Sequence, residues 1–181
     1  CKYISIPCEE LKNQNNVFDV DVTKLIINVH NSGITGKQLG DILRYKYNIE
    51  VEMDSLKYVL GITTICDDYK ELERLAEALM EIDKSLEEKQ NENISVELLK
   101  NKRMYSIYET DLKEKNTVNL FDSKDCISGE FVFLYPPGIP LVVPGEVITE
   151  ELLEQIKVYL EANMNISGLK DNSNKTIEVV K

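Results

Sequence analysis

The sequence predicts an α+β fold made of two small two-layer units. Three observations carry that prediction. Short apolar, β-branched runs alternate with stretches whose apolar residues recur at helical spacing, the pattern of strands backed by helices. A polar, charged stretch, Glu87-Glu88-Lys89-Gln90-Asn91-Glu92-Asn93, separates a first unit (residues 1–90) from a second (residues 91–181). Four of the five prolines fall between Tyr135 and Glu146, which stiffens one segment of the second unit. The first unit reads strand–helix–strand–strand–helix. The second reads as a mixed sheet with a proline-rich extended segment and a C-terminal helix.

In chain order, Tyr3–Ile6 is a possible strand, and Lys24–His30 is a buried strand ended by Asn31-Ser32-Gly33. Thr35-Gly36-Lys37-Gln38 has capping-box spacing, so a helix follows with Leu39, Ile42, Leu43 and Tyr47 on one face and Asn48 as its stop. Ile49–Met53 alternates like a strand, and Tyr58–Ile65 is a second buried strand in which Gly61 marks a weak point or a close approach. Asp68 opens a long helix whose apolar face is read as Leu72, Leu75, Ala76, Leu79, Met80 and Leu86. In the second unit, Ser95–Tyr108 reads as one or two helices and Asp111–Asn116 as a charged loop. Val118–Phe121 and Ile127–Leu134 read as strands. The segment Tyr135–Glu146 is expected to be extended and mostly buried, bending at Gly138 and Gly145. Thr149 caps a helix with Leu152, Ile156, Tyr159 and Leu160 inward, and Thr176–Val180 closes the chain as a strand.

The bulk numbers exclude several classes of function. The chain has 181 residues and a formal net charge of −11, which argues against nucleic acid, whose binding needs clustered Lys and Arg. Its apolar runs are far short of a membrane span and no basic-then-apolar leader is read in it, while a first residue of Cys1 rather than Met is expected of a piece cut from something longer. The four cysteines form no CxxC pair and the only histidine is His30, so no structural zinc site is expected and a reduced, cytoplasmic setting fits. The Asn-x-Ser/Thr matches at Asn93, Asn165 and Asn174 carry no weight without a secretory leader.

Composition shows no catalytic constellation. His30 reads as a structural residue at a strand end, and Cys66 and Cys126 as buried small hydrophobes. Thr35, Gly36 and Lys37 sit where helix-end amides can hold an anion, but capping is the plainer reading. Glu146 stands out as a carboxylate fixed behind Pro144-Gly145 by a rigid segment, with a helix-start charge as the alternative.

Tyr135-Pro136-Pro137-Gly138-Ile139-Pro140, followed by Pro144-Gly145-Glu146, resembles the C-terminal region of the bacterial ornithine/lysine/arginine decarboxylases, a pyridoxal-phosphate family of fold type I. Upstream, Asp21-Val22-Thr23-Lys24, Gly33-Ile34-Thr35-Gly36, Asp41-Ile42-Leu43-Arg44 and Tyr47–Met53 resemble the family's small domain. Two blocks in the right order, over nearly the whole chain, make the resemblance fairly specific. It implies the small domain at 1–90 and the C-terminal domain at 91–181 of a larger enzyme. That enzyme would remove the α-carboxylate of lysine, arginine or ornithine, giving amines of polyamine metabolism, with pyridoxal phosphate as electron sink. The family's cofactor lysine follows a histidine, and here Asn31 follows His30, so the resemblance implies no cofactor site or catalytic residue in this chain. It implies a separate large domain as partner, a homo-oligomer, and a basic amino-acid substrate. Glu52, Asp54, Tyr58 and Glu146 are the positions expected near the substrate entrance, where carboxylates favour a cationic side chain. The rival reading is a free-standing, non-catalytic α+β binding or regulatory module.

Overall fold

The computed structural model describes residues 1–14, 16–29, 32–88 and 99–181. The expectations for His30 and Asn93, and for the start of the Ser95–Tyr108 segment, lie outside the described residues. The chain divides into two compact units, Cys1–Ile94 and Ser95–Lys181.

The first unit is a four-stranded antiparallel sheet with two helices. Its strands are β1 (Ile4–Ser5), β2 (Lys24–Val29), β3 (Met53–Asp54) and β4 (Tyr58–Ile62), in the order β1-β2-β4-β3. Its helices are α1 (Gly36–Tyr47) and α2 (Tyr69–Ser85). Strand residues alternate between the two faces of a sheet. Ile27, Val29 and Val59 therefore turn to one core with Leu39 and Leu43 of α1 and Ala78, Leu79 and Ile82 of α2. Burying each such side chain contributes about 1.5–3 kcal/mol, which makes this cluster the main stabilising element of the unit.

Both helices start as the sequence predicts. Thr35 and Gln38 form a reciprocal capping box at α1, and Asp68 and Glu71 form another at α2. Asn48 ends α1 in the left-handed conformation, with φ 52°. The amides of Thr35, Gly36 and Gln38 donate to Gln38 Oε1, the Leu56 carbonyl and Thr35 Oγ1, so capping and packing occupy the amides of Thr35 and Gly36, two of the three positions offered to an anion.

Three details differ from expectation. Only Met53 of the Ile49–Met53 stretch joins a strand. Ile49 and Val51 pack on the core instead, and the Ile49 amide donates to the Leu43 carbonyl at 2.9 Å, so the end of α1 holds this segment. The buried face of α2 is Leu75, Ala78, Leu79 and Ile82, with Leu86 beside it, while Leu72 and Met80 are 40% and 48% exposed. That stripe has i, i+3, i+4, i+7 spacing; Ala78 and Ile82 belong to it in place of Ala76 and Met80, which are exposed. A Cβ at Gly61 would meet only Leu25, at the ordinary contact distances of 3.7 and 3.9 Å, so no tight approach requires the glycine.

The second unit contains α3 (Ile107–Asp111), β5 (Lys115–Asn119), β6 (Val132–Leu134), β7 (Ile139–Val142), α4 (Glu150–Glu161), β8 (Ile166–Ser167) and β9 (Thr176–Val180). Its strands pair antiparallel in two small sheets, β5-β9 and β7-β6-β8, where one mixed sheet was expected. Thr149 caps α4, and Leu152, Leu153, Ile156 and Tyr159 are buried. Residues 101–105 are not helical. The helix starts only after Ser106, whose side chain forms a capping box with Glu109. Strand β5 begins at Lys115, inside the stretch read as a charged loop.

The proline segment also differs. Residues 135–138 form the turn of the β6–β7 hairpin, and the Tyr135–Pro136 and Pro136–Pro137 bonds are both cis. Tyr135 and Ile139 remain 54% and 45% exposed, so the first half of the segment is a surface hairpin and only Val142, Pro144 and Gly145 are buried. Pro140 lies in β7, an edge strand, where a missing donor is tolerated.

Candidate functional site

Three of the four predicted site residues lie on or beside one hairpin of the first unit. Asp54 and Tyr58 flank the β3–β4 turn, where the Ser55 amide donates to the Tyr58 carbonyl at 2.8 Å. Glu52 precedes β3, and its amide donates to the Leu60 carbonyl at 2.8 Å. The Glu52 side chain is exposed and makes no ion pair among the described residues. Tyr58 is half-buried, opposite Asn28 of β2.

Asp54 is buried, and Lys37 explains how it can be. The Lys37 Nζ lies 2.7 Å from Asp41 Oδ1 and 3.5 Å from Asp54 Oδ2. Burial works against the lysine's charge. The hydrogen bond to Asp41 and the field of Asp54 outweigh it, so the ammonium titrates above the ordinary lysine range. Gly36 makes this approach possible. A Cβ there would stand 2.2 Å from the Tyr58 carbonyl oxygen and 2.5 Å from that of Ser55. The start of α1 therefore lies directly on the hairpin turn.

Glu146 belongs to the second unit. Its carboxylate folds back on the turn that carries it: Oε2 accepts from the Val143 amide at 3.2 Å and from Asn101 Nδ2 at 3.3 Å. Its side chain is 16% exposed, and Arg103 stands 4.0 Å from Oε1. The Gly145 carbonyl accepts from the amides of Met104 and Tyr105, and the Gly145 amide donates to Ser128. The Pro144-Gly145-Glu146 motif thus pins segment 101–105 to the rest of the unit. None of the four residues lines the 210 Å³ pocket between β2, β4 and α2, or the 690 Å³ groove around Tyr108, Phe131 and Pro144.

Sequence reasoning missed two buried carboxylates. Asp83 accepts from the amides of Lys2, Tyr3 and Ile4 at 2.6–2.8 Å. Its signal was an acid one turn beyond Leu79 on the apolar side of α2. Glu130 accepts from the amides of Lys170 and Glu178, and no spacing in the sequence announces it. Among the described residues no three His, Cys, Asp or Glu side chains are grouped to hold a metal ion, and no helix is long and apolar enough to cross a membrane.

Over the described residues the fold is that of a two-unit α+β chain with several small antiparallel sheets and four helices. Solved structures share it. The lysine decarboxylase of Francisella novicida superposes with a TM-score of 0.73 at 17% identity, covering 99% of this chain and 36% of that one. The constitutive lysine decarboxylase of E. coli gives 0.70 at 16% identity, covering 94% and 33%. At such identities the likeness shows the fold alone. Sequence relatives go further. The arginine decarboxylase of Bacillus subtilis (strain 168) is 36% identical over 175 residues, 95% of this chain and 36% of the relative. That of Bacillus anthracis is 31% identical over 183 residues, 99% and 37%. Residues 87–172 match the family described as "Orn/Lys/Arg decarboxylase, C-terminal domain". The likeness to that family's C-terminal domain lies in residues 87–172. The chain spans about a third of the length of the curated relatives it matches.

Proposed function

We propose that this chain forms the small domain and the C-terminal domain of a pyridoxal-phosphate-dependent decarboxylase of basic amino acids, with arginine as the favoured substrate. The observation that carries the reading is the 36% identity to an arginine decarboxylase along 95% of the chain. The lysine decarboxylases match its fold at only 16–17% identity and weigh less in the choice of substrate.

The cofactor would be held outside this chain. A Schiff-base lysine needs a neutral, unpaired amine in a closed site. Lys37, a mostly buried lysine, is instead committed to Asp41 and Asp54. When bound, pyridoxal phosphate supplies the electron sink for loss of the α-carboxylate. The residues of this chain would shape the entrance. Glu52 and Glu146 would attract a cationic side chain, Tyr58 would line its path, and Asp54 would fix the hairpin that carries Glu52 and Tyr58. The partners would be a large domain supplied by the rest of the polypeptide and further copies in a homo-oligomer, in the cytoplasm.

The test is decarboxylation of arginine, lysine and ornithine by the complete gene product, followed as released CO2. Turnover of arginine in preference to the other two is expected. Inactivity on all three, with cofactor supplied, would leave the non-catalytic module as the better account.

A further inference from the structure

Asn101 is placed at a cost. Its Nδ2 donates to the Leu141 carbonyl at 2.7 Å and to Glu146 Oε2 at 3.3 Å, while its Oδ1 is buried with no hydrogen-bond partner among the described residues. A buried, unsatisfied amide oxygen lowers stability, so a residue chosen for stability alone would not leave one. Such local violations mark places where something other than stability fixes the side chain. Here the side chain is aimed at a carboxylate. Glu146 Oε2 is held by Asn101 and the Val143 amide, whereas Oε1 has no hydrogen-bond donor among the described residues. The nearest cation, Arg103, stands 4.0 Å away with its side chain 66% exposed. An ion pair that loose and that exposed is easily exchanged for another.

We propose that Asn101 is a positioning residue for Glu146: it fixes one carboxylate oxygen so that the other is presented to a cationic substrate side chain, which takes the place of the Arg103 guanidinium. The inference rests on the reading of Glu146 as a substrate-entrance carboxylate. It makes Arg103 a competitor of the substrate, and so gives two neighbouring residues opposite effects on one kinetic constant.

The experiment is steady-state decarboxylation of arginine by the complete gene product and three variants. Glu146→Gln keeps the shape and removes the charge, and KM should rise about fivefold or more. Asn101→Ala should raise KM about threefold while kcat changes less than twofold, and Tm should not fall, because the unsatisfied oxygen leaves with the side chain. Arg103→Gln, at an exposed position, should lower KM about twofold. A merely structural Asn101 would show the reverse pattern, a lower Tm with KM unchanged. If Glu146→Gln leaves KM unchanged, the entrance reading fails and this inference with it. If Glu146→Gln raises KM but Asn101→Ala does not, the positioning role alone is overturned. Should Asn101→Ala fail to fold, a KM that rises or stays level in Arg103→Gln overturns the competition on which the proposal depends.

Discussion

Asp83 shows how one side chain can hold a strand in place. Burial pushes its pKa up, but the three amides of Lys2, Tyr3 and Ile4 pull it down further, so the carboxyl titrates below the ordinary value of 3.8. A depressed folded-state pKa adds stability above the unfolded pKa, and that stability is lost as pH falls through the folded value. The loss should therefore begin only below about pH 4. Asp83→Asn should cost about 1–3 kcal/mol at pH 7, because an amide oxygen is a weaker acceptor for three donors. It should also flatten the stability curve below pH 4. Urea unfolding of the chain and the variant at pH 7 and pH 3 checks both, and equal acid sensitivity in the two would assign the acid response to other carboxylates. Gly36 offers a sharper residue-scale test. Its Cβ would overlap two carbonyl oxygens of the β3–β4 turn, so Gly36→Ala should destabilise by about 2 kcal/mol or more, well beyond the gain in helix propensity. A stable Gly36→Ala would mean that the turn can move away from α1.

Among the elements, legibility followed the range of the interactions. The caps of α1, α2 and α4 were readable because Thr35/Gln38, Asp68/Glu71 and Thr149 act within three or four residues. Strands β2 and β9 were readable because their apolar residues alternate or run unbroken. The pairing of β5 with β9 was not readable, since partners sixty residues apart leave no local trace. The same holds for Ile49–Met53, where packing against α1 overrides an alternating pattern. The hairpin tip Tyr135–Ile139 was misjudged for another reason: proline content sets backbone shape and says nothing about which side faces water. Of the candidate site, the motif around Glu146 was legible as a rigid turn, but its partners Asn101 and Arg103 lie more than forty residues upstream. At this scale α2 gives the clearest prediction. Asp68→Ala removes the cap that accepts from the Glu71 amide at 3.0 Å, and should cost about 1 kcal/mol in chemical denaturation. Met80→Ala, outside the buried stripe, should cost much less than Leu79→Ala, which should lose about 2–5 kcal/mol. Comparable losses for the two would put the buried face where the sequence alone had drawn it.

For the whole molecule, the question is what the exposed apolar surface of the first unit is for. Single exposed hydrophobics are ordinary. Aligned rows are not, and they mark interaction sites. Ile26, Leu60 and Met53 stand level on three adjacent strands, on the face opposite the side chains that enter the core, and Ile62 lies two residues along on β4. Ile26 and Ile62 remain 40% and 45% exposed. If this chain works as part of a longer decarboxylase, that row is a surface for the remaining polypeptide to cover. Ile26→Lys separates the alternatives, because a lysine stem can lie along the sheet while its charge stays in water. In the chain by itself the substitution should change stability by no more than about 1 kcal/mol, as surface changes do. In the complete gene product the same charge would be buried without a partner, and should lower Tm and arginine decarboxylation together. Equal thermal stability and equal activity of the Ile26→Lys and unaltered complete proteins would show the row open to water in both, and would remove this face from the proposed assembly.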